Sequence, residues 1–137
     1  MSKPYPSSDD LICLSWIYRS HDDYVEFDDS IYLGFDKNQN LVIVCEYKDY
    51  VHDGCDCATY VQLDRAEALR LAGIMELHLK DLPQGISDFM SDWWCDSPDA
   101  KSGTMRDCFQ EIVERLTEEG CYFKTFRKRS RHGKTAY

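Results

Sequence analysis

The sequence predicts an α+β fold: an antiparallel meander sheet of four to five strands with about three helices on one face, in a single two-layer domain. Two observations carry this. Residues up to Leu63 fall into short β-branched and aromatic runs separated by turn residues, and residues after Asp64 switch to helical periodicity. A third is length, because 137 residues can bury about two-thirds of their unfolded surface behind one core. No repeat, low-complexity tract or long linker divides the chain, so residues 1–137 read as one domain, with 127–137 a basic tail.

The elements follow in order. Leu11 to Tyr18 reads as a short helix, because Ser7 and Asp10 have the spacing of a cap, although the same apolar run suits a buried strand. Tyr24 to Phe27, Ile31 to Phe35, Leu41 to Tyr50 and Ala58 to Leu63 are strand runs. Asp64 with Glu67 forms a capping box, and Ala68, Leu71, Ala72, Met75 and Leu79 extend a helix to about Lys80. Pro83 suits a first helical turn, after which Ile86, Phe89, Met90 and Trp93 mark a second amphipathic helix. Thr104 and Asp107 start a third, which carries Met105, Cys108, Phe109, Ile112 and Leu116 on one side and stops at Gly120. Cys121 to Phe126 returns as a final strand. The helix stripes, including Ala68, Leu71, Met75, Phe89, Phe109, Ile112 and Leu116, should bury against Leu33, Ile43 and Val61.

Charge is distributed unevenly. Up to Glu119 the chain holds 25 acids against 10 bases, a net −15, whereas the last 18 residues hold six bases and no acid. Such a body repels a phosphate backbone and attracts cations. A nucleic-acid partner is therefore disfavoured, although the Tyr122–Arg129 stretch interleaves aromatics with bases as a single-strand binder would. Seven cysteines are an odd number, and the N-terminus lacks the apolar core of an export signal, so the thiols read as reduced and the expected compartment is the cytoplasm. No apolar run approaches the length of a membrane helix.

Chemical motifs are sparse. The His52-Asp53-Gly54-Cys55-Asp56-Cys57 turn offers an imidazole and two thiols, but structural zinc needs four ligands, and flanking carboxylates suppress the thiolate that nucleophilic chemistry uses. His52, Cys55 and Cys57 are accordingly weak metal candidates and no metal or cofactor is expected. His21-Asp22-Asp23 reads as a solvated loop and His78 as a residue at the core margin. Phosphate-loop, nucleophile-elbow and zinc-protease motifs are absent, which leans the reading away from an enzyme.

What remains is recognition. Strand alternation turns Tyr32, Val42, Val44, Glu46 and Tyr60 away from the helix layer, and tyrosines among acids are favoured anchors for protein partners. The sequence thus points to a small acidic protein that binds another, basic protein through these five residues, in the manner of an inhibitor or immunity protein, with a homo-oligomer left open. A covering N-terminal segment would remove that face. The alternatives are a zinc or thiol protein built on His52, Cys55 and Cys57, and a nucleic-acid binder acting through the basic tail.

Overall fold

A computed structural model describes residues 8–22, 27–49, 57–96 and 105–129. Five strands form one antiparallel sheet in chain order: β1 (Ile12–Asp22), β2 (Phe27–Phe35), β3 (Leu41–Asp49), β4 (Cys57–Leu63) and β5 (Lys124–Arg129). Between β4 and β5 the chain makes α1 (Arg65–Ile74), a 3₁₀ turn at Leu79–Asp81, α2 (Leu82–Asp96) and α3 (Met105–Glu118). The predicted α+β meander is the observed fold. Among the described residues no helix is long and apolar enough to cross a membrane.

The run from Leu11 is strand rather than helix. It pairs with β2 from Ile12↔Phe35 to Asp22↔Phe27, and Asp10 closes a single 3₁₀ turn, Ser8–Asp10, instead of capping an α-helix. Backbone pairing along a long neighbour satisfies every second peptide group there, which a local helix would have to do alone. The ladder is irregular between Ile12 and Ser15, where Cys13 adopts φ 58°. Gly34 permits this crossing: a Cβ on it would stand 2.9 Å from both the Ile12 carbonyl oxygen and the Leu11 Cβ.

β2 runs unbroken through Asp28 and Asp29 in perfect register with β3, so the two strand runs expected on either side of those acids are one strand over the described residues. The turn into β3 is organised by Asp36, whose carboxylate accepts from the Asn38 N–H (2.8 Å), the Asn40 N–H (3.0 Å) and the Asn40 amide (3.2 Å). β5 extends past Phe126: Arg127, Lys128 and Arg129 pair with Thr59, Ala58 and Cys57, so the first three residues assigned to a basic tail belong to the sheet.

The helix layer covers one sheet face. Asp64 caps α1 by accepting from the Glu67 N–H at 2.9 Å. The helix ends at Ile74, well before Lys80, because Glu76 takes the left-handed conformation (φ 59°) and the Leu77 N–H turns back to the Ala72 carbonyl at 2.8 Å. α3 ends in the same way, with Gly120 at φ 72° and the Cys121 N–H bonded to the Leu116 carbonyl, the closing bond of a Schellman motif. α2 lies on β1, where Ser87 Oγ donates to the Trp16 carbonyl at 2.7 Å and Ser15 Oγ to Gln84 Oε1 at 3.3 Å.

The main core joins Ile31, Leu33, Ile43, Val61 and Leu63 of the sheet to Ala68, Leu71, Leu82, Ile86, Met90, Ile112 and Leu116 of the helices. Met75 and Phe109 are half-buried against it. Phe89 differs from expectation: α2 turns Leu82, Ile86 and Met90 inward, at four-residue intervals, and this leaves Phe89 43% exposed. His78 is also exposed rather than at a core margin. Cys108 and Cys121 are buried and Cys45 half-buried, as small apolar side chains are.

Candidate functional site

The five residues expected to face a partner do share the outer side of the sheet, but four are inaccessible. Tyr32 is 1% exposed, Tyr60 3%, and Val42 and Val44 are fully enclosed with Ala58 and Leu11 in a second apolar cluster. Leu14 from β1 and Phe126 from β5 pack on the same cluster. The Tyr60 and Phe126 rings stack at 5.0 Å and 8°, and Trp16 tilts against Tyr32 at 5.1 Å. Burial, reinforced by Glu46, Tyr60, Asp10 and Asp9, pushes the Tyr32 phenol well above the ordinary tyrosine range. The expectation that these side chains stand open to a partner is thus corrected: the segment at Leu11, bent back at Cys13, helps to cover them. Of the five only Glu46 is partly accessible.

The turn proposed as a weak metal candidate is described at one residue. Cys57 begins β4 and is half-buried; His52 and Cys55 lie outside the described residues. Among the described residues no three His, Cys, Asp or Glu side chains converge on a point where one metal ion could sit. The side chains of Trp93, Trp94 and His21 are likewise outside what the structure describes, although the His21 backbone, in β1, pairs with Asp28.

A different feature occupies the helix layer. A groove of about 170 Å³ runs between α1, α2 and α3, floored by Leu71, Ile86, Met90 and Ile112. Two apolar side chains stand at its lips with much of their surface in solvent, Ile74 of α1 at 45% and Phe89 of α2 at 43%. Arg115, Glu118 and Glu119 form the rim on the α3 side. Arg115 is not an uncompensated cation: its Nε donates to Glu111 Oε2 at 2.6 Å, and its guanidinium carbon lies 5.4 Å from the Phe89 ring centroid. The hydrogen bond to Glu111 is the main reason its pKa rises further above the ordinary arginine value. The α2 segment Leu82–Asp96 contains no Lys or Arg, and its Asp88 and Asp92 are exposed.

The connection from α3 to β5 is fixed beside this groove. Arg70 Nη2 donates to the carbonyls of Gly120 (2.7 Å) and Glu119 (3.3 Å), and Glu67 Oε1 accepts from Arg70 (3.3 Å) and from the Tyr122 N–H (2.9 Å). Two residues of α1 therefore hold the Glu118–Glu119 rim in place.

Sequence reasoning missed the groove because it treated the helix stripes as wholly internal. The signal was present: α2 has more apolar residues than one stripe holds, since Phe89 and Met90 are adjacent and about 100° apart on the helix. No protein-family model matches the chain, no curated protein matches it, and no solved structure matches its fold.

Proposed function

We propose that the protein is a binding protein without catalytic chemistry of its own, whose groove between α1, α2 and α3 receives a positively charged, apolar-faced segment of another protein. The observation that carries the reading is the pairing of the half-exposed Ile74 and Phe89 with an acidic surround. Large apolar side chains left in water at the two lips of a concave apolar floor are the anatomy of an anchor pocket. Glu118, Glu119, Asp88 and Asp92 select the sign of the charge that approaches, and the net −15 of residues 1–119 supplies the long-range attraction. Neutralisation of a basic enzyme, as an inhibitor or immunity protein would do, is the form of this activity that fits a small acidic domain. Glu46, on the opposite face, contributes to the guiding field rather than to the contact.

The test uses a defined probe, a synthetic helical peptide with leucines on one face and lysines on the other, followed by amide chemical shifts. Binding should saturate, map to α1–α3, weaken with added salt, and be lost in Phe89→Ser and in the Glu118→Lys, Glu119→Lys double variant. Binding that is indifferent to Phe89→Ser, or shifts confined to the sheet, would mean only that an acidic surface attracts a cation, and the groove would lose its role.

A further inference from the structure

The size of the helix groove limits what can enter it. Its volume of about 170 Å³ is close to that of the roughly 150 Å³ cavity, lined by Leu, Ile and Phe, that holds one benzene molecule. A helix that laid anchors at i, i+3, i+4 and i+7 along a groove would need room for each of them. This groove has room for one ring or one large aliphatic side chain. Its floor does not widen cheaply, because Leu71, Met90, Ile112 and Leu116 are each 5% exposed or less and belong to the main core.

The lining discriminates between a ring and an aliphatic group. Met75, Met90 and Phe89 all border the space. Thioethers make favourable contacts with aromatic rings, often at the ring edge, and two aromatic rings gain from offset or edge-to-face packing beyond the area they bury. An aliphatic side chain gains the buried area alone. Phe89 is also held in position: the Arg115 guanidinium carbon lies 5.4 Å from its ring centroid, and Arg115 is tied to Glu111 by a 2.6 Å hydrogen bond. A ring entering the groove therefore meets a lip that is already oriented, at little further cost in side-chain freedom.

The rim selects charge. Glu118 and Glu119 line the α3 side together with Arg115, and both raise the pKa of its guanidinium, so their field reaches the mouth of the groove. Arg115 is matched by Glu111, and Arg70, which holds the Glu119 carbonyl, is paired with Glu67. The residues lining the mouth thus carry a negative balance that suits a cation and repels a carboxylate.

We propose that the groove is specific for a single aromatic side chain with a basic group beside it, the ring entering between Ile74 and Phe89 and the cation resting against Glu118 and Glu119. This rests on the groove reading above and names the side-chain chemistry that fills the groove. The partner segment is then recognised by an aromatic–basic pair rather than by a stripe of leucines, and its other residues serve mainly to exclude water around that pair.

The experiment compares versions of the leucine and lysine helix in which one central leucine is kept or replaced by Phe or Ala, each titrated into the full-length protein and followed by amide chemical shifts. The Phe peptide should bind about 3–10-fold more tightly than the Leu peptide, the size of one ring–ring and sulfur–ring preference, and the Ala peptide more weakly than either. Phe89→Leu, which keeps an apolar lip at an exposed position, should bring the Phe and Leu peptides to within about twofold of each other; its amide spectrum reports that the variant is folded. Two small probes isolate the charge: phenethylammonium should shift amides of α1 to α3, and 3-phenylpropionate should not. Equal affinity for the Phe and Leu peptides overturns the proposal while the groove reading stands. Tighter binding of 3-phenylpropionate than of phenethylammonium also overturns it, by making Arg115 the recognising group. Failure of every peptide removes the groove reading and the proposal together.

Discussion

The Arg70 guanidinium donates to the Gly120 carbonyl at 2.7 Å, tying the first helix to the left-handed glycine that ends the third. Fifty residues of chain separate the two, so the contact closes the helix layer on itself. Replacing Arg70 by Ala removes this donor from two carbonyls and from the Glu67 carboxylate, which keeps its bond from the Tyr122 N–H. The Arg70 side chain is 43% exposed and water recovers part of that loss, so the expected cost is about 1 kcal/mol. Chemical denaturation of Arg70→Ala, Glu67→Ala and the double variant should show coupling between the two positions.

Glu76 occupies the position that Gly120 fills in the other helix terminus, at φ 59° with an exposed side chain. A side-chain-bearing residue there costs about 1–2 kcal/mol of steric strain, and glycine gives back part of the gain as unfolded-state freedom. Glu76→Gly should therefore raise stability by up to about 1 kcal/mol. A lowered melting temperature would show that the α1 terminus is held by something other than backbone preference.

Gly34 is the converse case. Because a Cβ there meets the Ile12 carbonyl oxygen and the Leu11 Cβ at 2.9 Å, Gly34→Ala must push the start of β1 off the sheet. The expected loss is about 1–3 kcal/mol, accompanied by faster amide exchange at Leu33 and Phe35. Exchange confined to the helices would contradict the packing of Leu11 over the outer cluster.

Tyr60→Ala should lower stability rather than weaken binding selectively, since the ring is 3% exposed and stacked on Phe126. Truncation of a buried aromatic costs about 3–5 kcal/mol, and Ile112→Ala on the other face about 2–5 kcal/mol. Comparable losses at both positions in urea titration would show that the sheet has two buried faces. A neutral Tyr60→Ala would return that face to solvent.

Alkaline pH separates the folded and unfolded states in a defined sense. Burial, with Glu111 adding to it, pushes the Cys108 thiol from 9.0 up to about 11, and burial also raises Tyr32 and Cys121. A group whose folded pKa is raised holds its proton longer in the native state, so its contribution is complete below the unfolded value and lost as pH climbs through the folded one. Stability should hold to about pH 9 and then decline through about pH 11, with a shallower decline in Cys108→Ala. Melting curves across that interval decide the matter.

Legibility of the sequence varied with the physics of each element. Strands β2 to β4 and helices α1 to α3 were readable because period and caps agreed there, as with Asp64 and Glu67. β1 was misread since an apolar octapeptide carries no period strong enough to choose, and only its pairing with β2 decides. The end of α1 was overshot because Glu76 is not a residue that announces a left-handed stop. Alternation correctly grouped Tyr32, Val42, Val44 and Tyr60 on one face, but alternation does not say what lies above a face. That depends on Leu11 and Phe126, at opposite edges of the sheet. The groove at Phe89 and Ile74 arises from how three helices splay, a property of no single segment.

The strand order also sets a sequence of events in folding. β1 to β4 join only chain neighbours, so their ladders can zip as successive hairpins with small loop-closure costs. β5 pairs with β4 across an intervening 60 residues that contain α1, α2 and α3. Its docking must await the helix layer, which makes it the last strand to lock and the first to leave. Substitutions in β5, such as Phe126→Ala, should then accelerate unfolding while leaving the folding rate nearly unchanged, the kinetic signature of contacts formed after the rate-limiting step.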